Sequence, residues 1–122
     1  MLPVASLTDK IVDHDSHPTL LRDLLPLLSQ ELEQLLEEAG EAKLASQVSG
    51  LSIVDRCRCG DDFCASFYTQ PKPKGAYGPG HRNVLLEPDK GMLILDVVNN
   101  VIAQVEILHR NDIRQTLLAK VP

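Results

Sequence analysis

The chain has no tryptophan and only two phenylalanines and two tyrosines among 122 residues. Its core must therefore be built from Leu, Val and Ile, and the aromatic platforms on which single-stranded nucleic acids stack are missing. No apolar run approaches the roughly 20 residues that span a bilayer. The N-terminus, Met1-Leu2-Pro3-Val4-Ala5-Ser6-Leu7-Thr8-Asp9, has neither the positive region nor the continuous apolar stretch of an export signal. Positive charge is not in excess either, since the formal net charge is −5. The cysteines number three, an odd count that, without an export signal, points to a reducing cytoplasm rather than a disulfide framework. A P-loop, a Rossmann turn and any local Ser-His-Asp or Cys-His signature are also missing.

What remains is the composition of an ordinary soluble domain, 43% apolar and 24% charged, long enough for one core without staples. The charge is uneven: residues 1–50 carry nine acids and three bases, whereas residues 51–122 carry eight acids and nine bases. An acidic half argues against general affinity for nucleic acid, which depends on cationic contacts to phosphate, and suits a basic protein partner.

Residues 1–16 lack a clear period and read as an arm. From Pro18 the pattern turns helical, with Leu21, Leu25, Leu28, Leu32, Leu35 and Ala39 spaced by three and four and acids such as Glu33 and Glu37 mostly elsewhere. Ser16 or Thr19 is placed to cap the start and Gly40 to end it. Pro26 cannot donate to the preceding turn and predicts a kink or a break. A shorter helix, 41–48, is expected to bury Leu44 and Val48, which makes 17–49 helical.

Residues 51–109 read as a β-meander. Strands at 51–59 and 63–69 flank Gly60-Asp61-Asp62, strands at 84–87 and 92–98 flank a Pro-Asp-Lys-Gly turn, and Asn99-Asn100 joins the last pair, ending at Leu108. In the final hairpin, pairing Val98 with Val101 puts Met92, Ile94 and Val98 on one face with Val101, Ala103, Val105 and Ile107. Asp96 shares that face, and Gln104 and Glu106 point the other way. Asp96 is expected to be a structural carboxylate bonded to a loop amide at the sheet end. The last strand is a sticky edge unless it is covered or paired, so a homodimer is a reasonable expectation. Asn111 is expected to cap a helix over 111–120 with Ile113, Leu117 and Leu118 on one side. The expected fold is α+β: an N-terminal helical segment packed on an antiparallel sheet of about five strands, closed by a short C-terminal helix.

All three cysteines lie in Cys57-Arg58-Cys59-Gly60-Asp61-Asp62-Phe63-Cys64. Period-two alternation puts Cys57 and Cys59 on the face of Leu51 and Ile53, and Phe63, Ala65 and Phe67 on the apolar face of the next strand. Burying both faces pairs Cys59 with Phe63, turns Cys64 away, and makes the thiols packing residues. The competing register, Cys59 opposite Cys64, gathers the sulfurs but exposes Phe63 and Phe67 or forces the sheet to be buried on both sides. It would serve a zinc site of Cys57, Cys59 and Cys64 with His81 or an Asp as fourth ligand, or a Cys59–Cys64 redox pair. Packing ranks first, metal second and disulfide third, so the expected cofactor is none, with zinc next.

Gln47, Leu51–Val54, Cys57-Arg58-Cys59-Gly60, Cys64-Ala65-Ser66-Phe67 and Val105-Glu106-Ile107-Leu108 together resemble a broad set of small bacterial α+β proteins with a Cys-x-Cys-Gly turn and a third Cys soon after. The resemblance covers about residues 42–110. It implies the fold and a bacterial origin, and no activity. The Asp61-Asp62 insertion and the long segment after Gln70 depart from the commoner compact form.

That segment, 70–83, holds Lys72, Lys74, His81 and Arg82 around Tyr77, a cationic lip for an anion or an acidic partner surface, or a plain solvated connector. His14 and His17 sit in the acidic arm, and His109 follows the last strand. Two function classes emerge. One is a non-enzymatic protein-binding module, an immunity protein against a basic toxin domain being one form, with Lys72, Lys74, Tyr77, His81, Arg82, Glu33 and Glu37 as contacts. The other is a small enzyme on an anionic substrate, using His81 and Arg82 with Asp61, Asp62 or Asp96, and it requires the 70–83 segment and the Gly-Asp-Asp turn to share a pocket.

Overall fold

The structure, a computed structural model, describes residues 19–122. The arm, with His14, His17 and the Ser16 cap, lies outside the described residues. Leu21–Leu24 forms α1 and Pro26–Glu38 forms α2. Leu25 stands between them with φ −132°, and Pro26 occupies the first turn of α2, where its missing N–H costs nothing. The break at Pro26 is thus as the sequence predicts. The helix ends in a Schellman motif: Glu41 N–H donates to Leu36 O at 2.8 Å and Gly40 N–H to Glu37 O at 3.1 Å. Gly40 takes φ +79°, a conformation that disfavours any other residue. Leu21, Leu25, Leu28, Leu32 and Leu36 are buried, whereas Leu35 is half-buried and Ala39 exposed, so the stripe runs through 36. A four-residue helix, α3 (Ala42–Ala45), and a 3₁₀ turn at Val48–Gly50 add Leu44 and Val48 to the core.

The strands differ from the meander. Thr19–Leu20 (β1) pairs with Ser52–Ile53 (β2), so Thr19 lies in a strand and caps no helix. The main sheet contains Asp55–Arg56 (β3), Phe67–Tyr68 (β4), His81–Leu86 (β5), Met92–Val98 (β6) and Val101–Leu108 (β7), all antiparallel, in the order β3-β4-β7-β6-β5. The strand expected at the edge, β7, is central, and β3 and β5 are the edges. Between β4 and β5 the chain must pass two intervening strands, a span of about 14 Å at 4.8 Å per strand. That crossing accounts for the long connector. Asn99 and Asn100 both take positive φ, 51° and 65°, in the two-residue turn from β6 to β7.

One face of this sheet packs on the helices: Phe67, Val84, Leu86, Leu93, Leu95, Val97, Ile102, Val105 and Ile107 are all buried in one cluster with the leucines of α1 and α2. Here the expectation for β6 is inverted, since Met92, Ile94, Asp96 and Val98 lie on the outer face. Asp96 pairs with Gln104 and Val97 with Ile102, so Ala103 is an extra residue, a β-bulge that shifts register by one. Gln104 and Glu106 consequently share the face of Asp96. Asn111–Lys120 (α4) closes the core with Ile113 and Leu117; Leu118 is 37% exposed, and Asn111 lies within the helix rather than capping it. The α+β architecture, the five-stranded antiparallel sheet and the C-terminal helix are as the sequence predicts.

Candidate metal centre and the outer-face carboxylates

The cysteine hairpin adopts the register ranked second. Asp55 pairs with Tyr68 and Arg56 with Phe67, Cys57 N–H donates to Ser66 O at 2.8 Å, and the same progression sets Cys59 against Cys64. The thiols therefore share one side. Their sulfur atoms all lie within 4.8 Å of one another. Cys57 and Cys64 are half-buried and Cys59 is exposed, and all three are free thiols. The packing role expected for them is overturned.

Two local causes explain the register. Ser52–Ile53 pairs with β1 while Asp55–Arg56 pairs with β4, and Val54 between them breaks the alternation. Ile53 is buried, but that placement does not propagate to Cys57. Phe63, 42% exposed, stacks on His109 with centroids 5.6 Å apart, and His109 N–H donates to Phe63 O at 2.8 Å. Phe67 remains fully buried because it pairs with Val105 of β7. The expected cost of this register is thus halved: only Phe63 faces solvent. Gly60 turns the chain at φ +84°.

Burial is the main influence raising the Cys57 thiol to about 11; the Cys59 backbone N–H works against it, and the side chains of Cys59 and Cys64 add to it. Burial also opposes ionisation of Cys64, yet the Ser66 hydroxyl and backbone N–H, with the other thiols, carry it below the ordinary value. Ser66 is itself held by Ile107, whose N–H donates to its Oγ at 2.9 Å. A recess of about 70 Å³ opens on the sulfurs between this hairpin and α4.

His81 is not part of this centre. It begins β5, level with Val98 and Val101, whereas Cys64 bridges to Leu108 at the other end of β7. The separation is about 20 Å along the strand. His81 instead bonds through Nε2 to Asp96 Oδ1 at 2.7 Å, which also accepts from Asn83 Nδ2 at 2.7 Å. Asp96 is 4% exposed, and its Oδ2 meets no donor among the described residues. So its partners are a histidine and an amide on the neighbouring strand rather than a loop amide. Contact with Asp96, then burial, lifts the Glu106 carboxyl to about 7. Two ionised carboxylates only accept, so a proton on Glu106 is what turns that contact into a hydrogen bond. Tyr77 covers this group, donating to Gln104 Oε1 at 2.8 Å and lying 4.8 Å from the His81 ring; burial first, then Asp96, raises its phenol to about 12.

The other residues singled out from the sequence are dispersed. Arg82 points to the helical side, where it pairs with Glu41 at 2.9 and 3.0 Å, opposite to His81. Lys72 reaches over the Tyr68 ring at 5.9 Å, and Lys74 is exposed in the connector. Glu33 and Glu37 lie on α2 in the helical layer. No single cationic lip forms. Asp61 and Asp62 belong to the cysteine end and the connector to the far end, so the shared pocket that an enzyme on an anionic substrate required is missing among the described residues. Sequence reasoning overlooked the Asp96–Glu106 pair because it counted the bulged hairpin as regular.

No protein-family model matches this chain, and no curated protein or solved structure matches it either. No helix among the described residues is long and apolar enough to cross a membrane.

Proposed function

We propose that this chain is a small zinc-binding domain whose metal is held by the thiolates of Cys57, Cys59 and Cys64. The observation that carries the reading is the mutual approach of three sulfurs within 4.8 Å. Thiolates at about 2.3 Å from a tetrahedral zinc stand about 3.8 Å apart, so small side-chain rotations close the set. Soft sulfur donors select zinc over magnesium or calcium, and a dication offsets the repulsion among three thiolates. Reduced protein purified with zinc present is expected to carry one zinc per chain by elemental analysis, and Cys59→Ser to lose at least tenfold in affinity. Wild-type protein that stays metal-free in excess zinc would refute the reading.

A protein partner is a second reading, favoured by a groove between α2 and β5. Leu35, Leu85 and Leu86 line it with Glu38 and Glu87, and Leu85 is 70% exposed. An exposed leucine between carboxylates suits a basic partner, which an immunity role against a basic toxin domain would supply. Binding of such a domain should weaken with salt and be lost in Leu85→Asp.

A further inference from the structure

We infer that the metal at Cys57, Cys59 and Cys64 keeps its fourth position for a small anionic ligand drawn from solution; this rests on the zinc reading. Three thiolates leave one tetrahedral vertex open, the arrangement of exchangeable rather than closed zinc sites. Among the described residues no other His, Cys, Asp or Glu joins the three sulfurs within the same 4.8 Å. The recess gives the open vertex its outlet. Its volume of about 70 Å³ holds an azide-sized anion or the sulfur end of a small thiol, and its wall includes Asp61, Arg56 and Arg114.

Charge decides what enters. Zinc with three thiolates sums to −1 and would repel an anion in isolation. Two guanidiniums on the recess wall bring the sum to +1 and Asp61 returns it to zero, so the repulsion is cancelled and either guanidinium is free to meet an incoming anion. Arg56 is anchored there, its Nε donating to Val121 O at 2.7 Å. Arg114 is half-buried on α4, one turn before Leu117, which is 2% exposed and seats that helix in the core. The ligand replaces a water on the metal, a thiol releasing its proton to solvent as it binds, and no bond to carbon or change of oxidation state is involved.

Cobalt(II) in place of zinc tests this, because its visible bands report both the donor set and the coordination number. The loaded wild-type protein is expected to show thiolate-to-cobalt charge transfer, and its d–d bands to shift on titration with azide and, in a separate arm, with 2-mercaptoethanol. Arg114→Ala should weaken azide binding roughly tenfold at unchanged cobalt loading, and Arg114→Lys should restore most of it. Bands that move with neither ligand would overturn the inference while leaving the metal reading intact. A spectrum altered by Asp61→Ala alone would then identify Asp61 as the fourth donor. A protein that shows no charge-transfer band at all rejects the metal reading, and the inference with it.

Discussion

Replacing Glu106 by Gln tests the carboxyl pair on the outer sheet face. Asp96 stands opposite Gln104, and Glu106 lies two residues further along β7 on the same face. This is the diagonal relation that long side chains bridge. Contact with Asp96 and burial lift Glu106 from 4.5 to about 7. At 1.36 kcal/mol per unit the shift corresponds to about 3 kcal/mol. Glu106 is only half-buried, and solvent screening lowers that to about 1–2 kcal/mol. The sign follows from proton uptake. The folded state holds a proton that the unfolded state releases, so this stability is complete below pH 4.5 and is lost as pH rises through about 7. A glutamine keeps an uncharged donor at every pH. Glu106→Gln should therefore match wild type near pH 4 and exceed it by about 1–2 kcal/mol at pH 8, which is several degrees in Tm for a domain of this size. Urea and thermal melts followed by far-UV circular dichroism at pH 4.5, 6 and 8 measure the difference. Glu41 and Asp55, held below the usual carboxylate range first by hydrogen bonds from Arg82 and Arg58, act in the opposite direction below about pH 4. They are common to both proteins and cancel. A gap that stays constant with pH, or a less stable variant at pH 8, would refute the uptake of a proton by Glu106 on folding.

Two further predictions concern the scaffold. Leu32, fully buried in the middle of α2, should cost about 2–5 kcal/mol when cut to Ala, read from the urea midpoint; a loss below 1 kcal/mol would mean that α2 does not seat on the sheet. Arg110, 13% exposed, makes paired bonds of 2.9 and 3.1 Å to Glu31 and ties the end of β7 to α2. Glu31→Gln should lose about 1–2 kcal/mol at low salt and less in 1 M NaCl, and a salt-independent loss would show that the charge contributes nothing.

The helical half was legible in its main features, although the stripe runs through Leu36 and Thr19 belongs to a strand. Leucines at spacings of three and four, a proline at the break and a glycine at the end act within one turn of chain, so local chemistry decides them. The Asn99-Asn100 turn was legible for the same reason. Strand order was not: nothing in Thr69 or His81 announces that the segment between them crosses two strands to reach the far edge. The three sulfurs stood in plain view as a cluster, yet whether they converge depended on a pairing that the segment itself leaves open.

Both misreadings of the sheet are slips of a single residue. Side chains alternate with period two, so one residue of register moves a whole strand to the other face. In the last hairpin the slip comes from Ala103, and that bulge is held from outside. Thr69 and Gln70 both direct their N–H groups to its carbonyl, at 2.9 and 3.3 Å, while Thr69 Oγ1 donates to Ile102 O at 2.8 Å. The start of the long connector thus fixes the kink that turns Asp96 toward Gln104 and Glu106. In the cysteine hairpin the slip is tolerated because Ala65 and Phe67 are anchored on β7, Ala65 N–H donating to Ile107 O at 2.8 Å. Burial of those two does not depend on what lies opposite, so Cys57 and Cys59 are released from the core. Regular alternation would have scattered both the thiols and the carboxyl pair. Both of these groupings, the thiols and the carboxyl pair, therefore form where the period-two pattern fails, and each failure is enforced by contacts from another strand or loop.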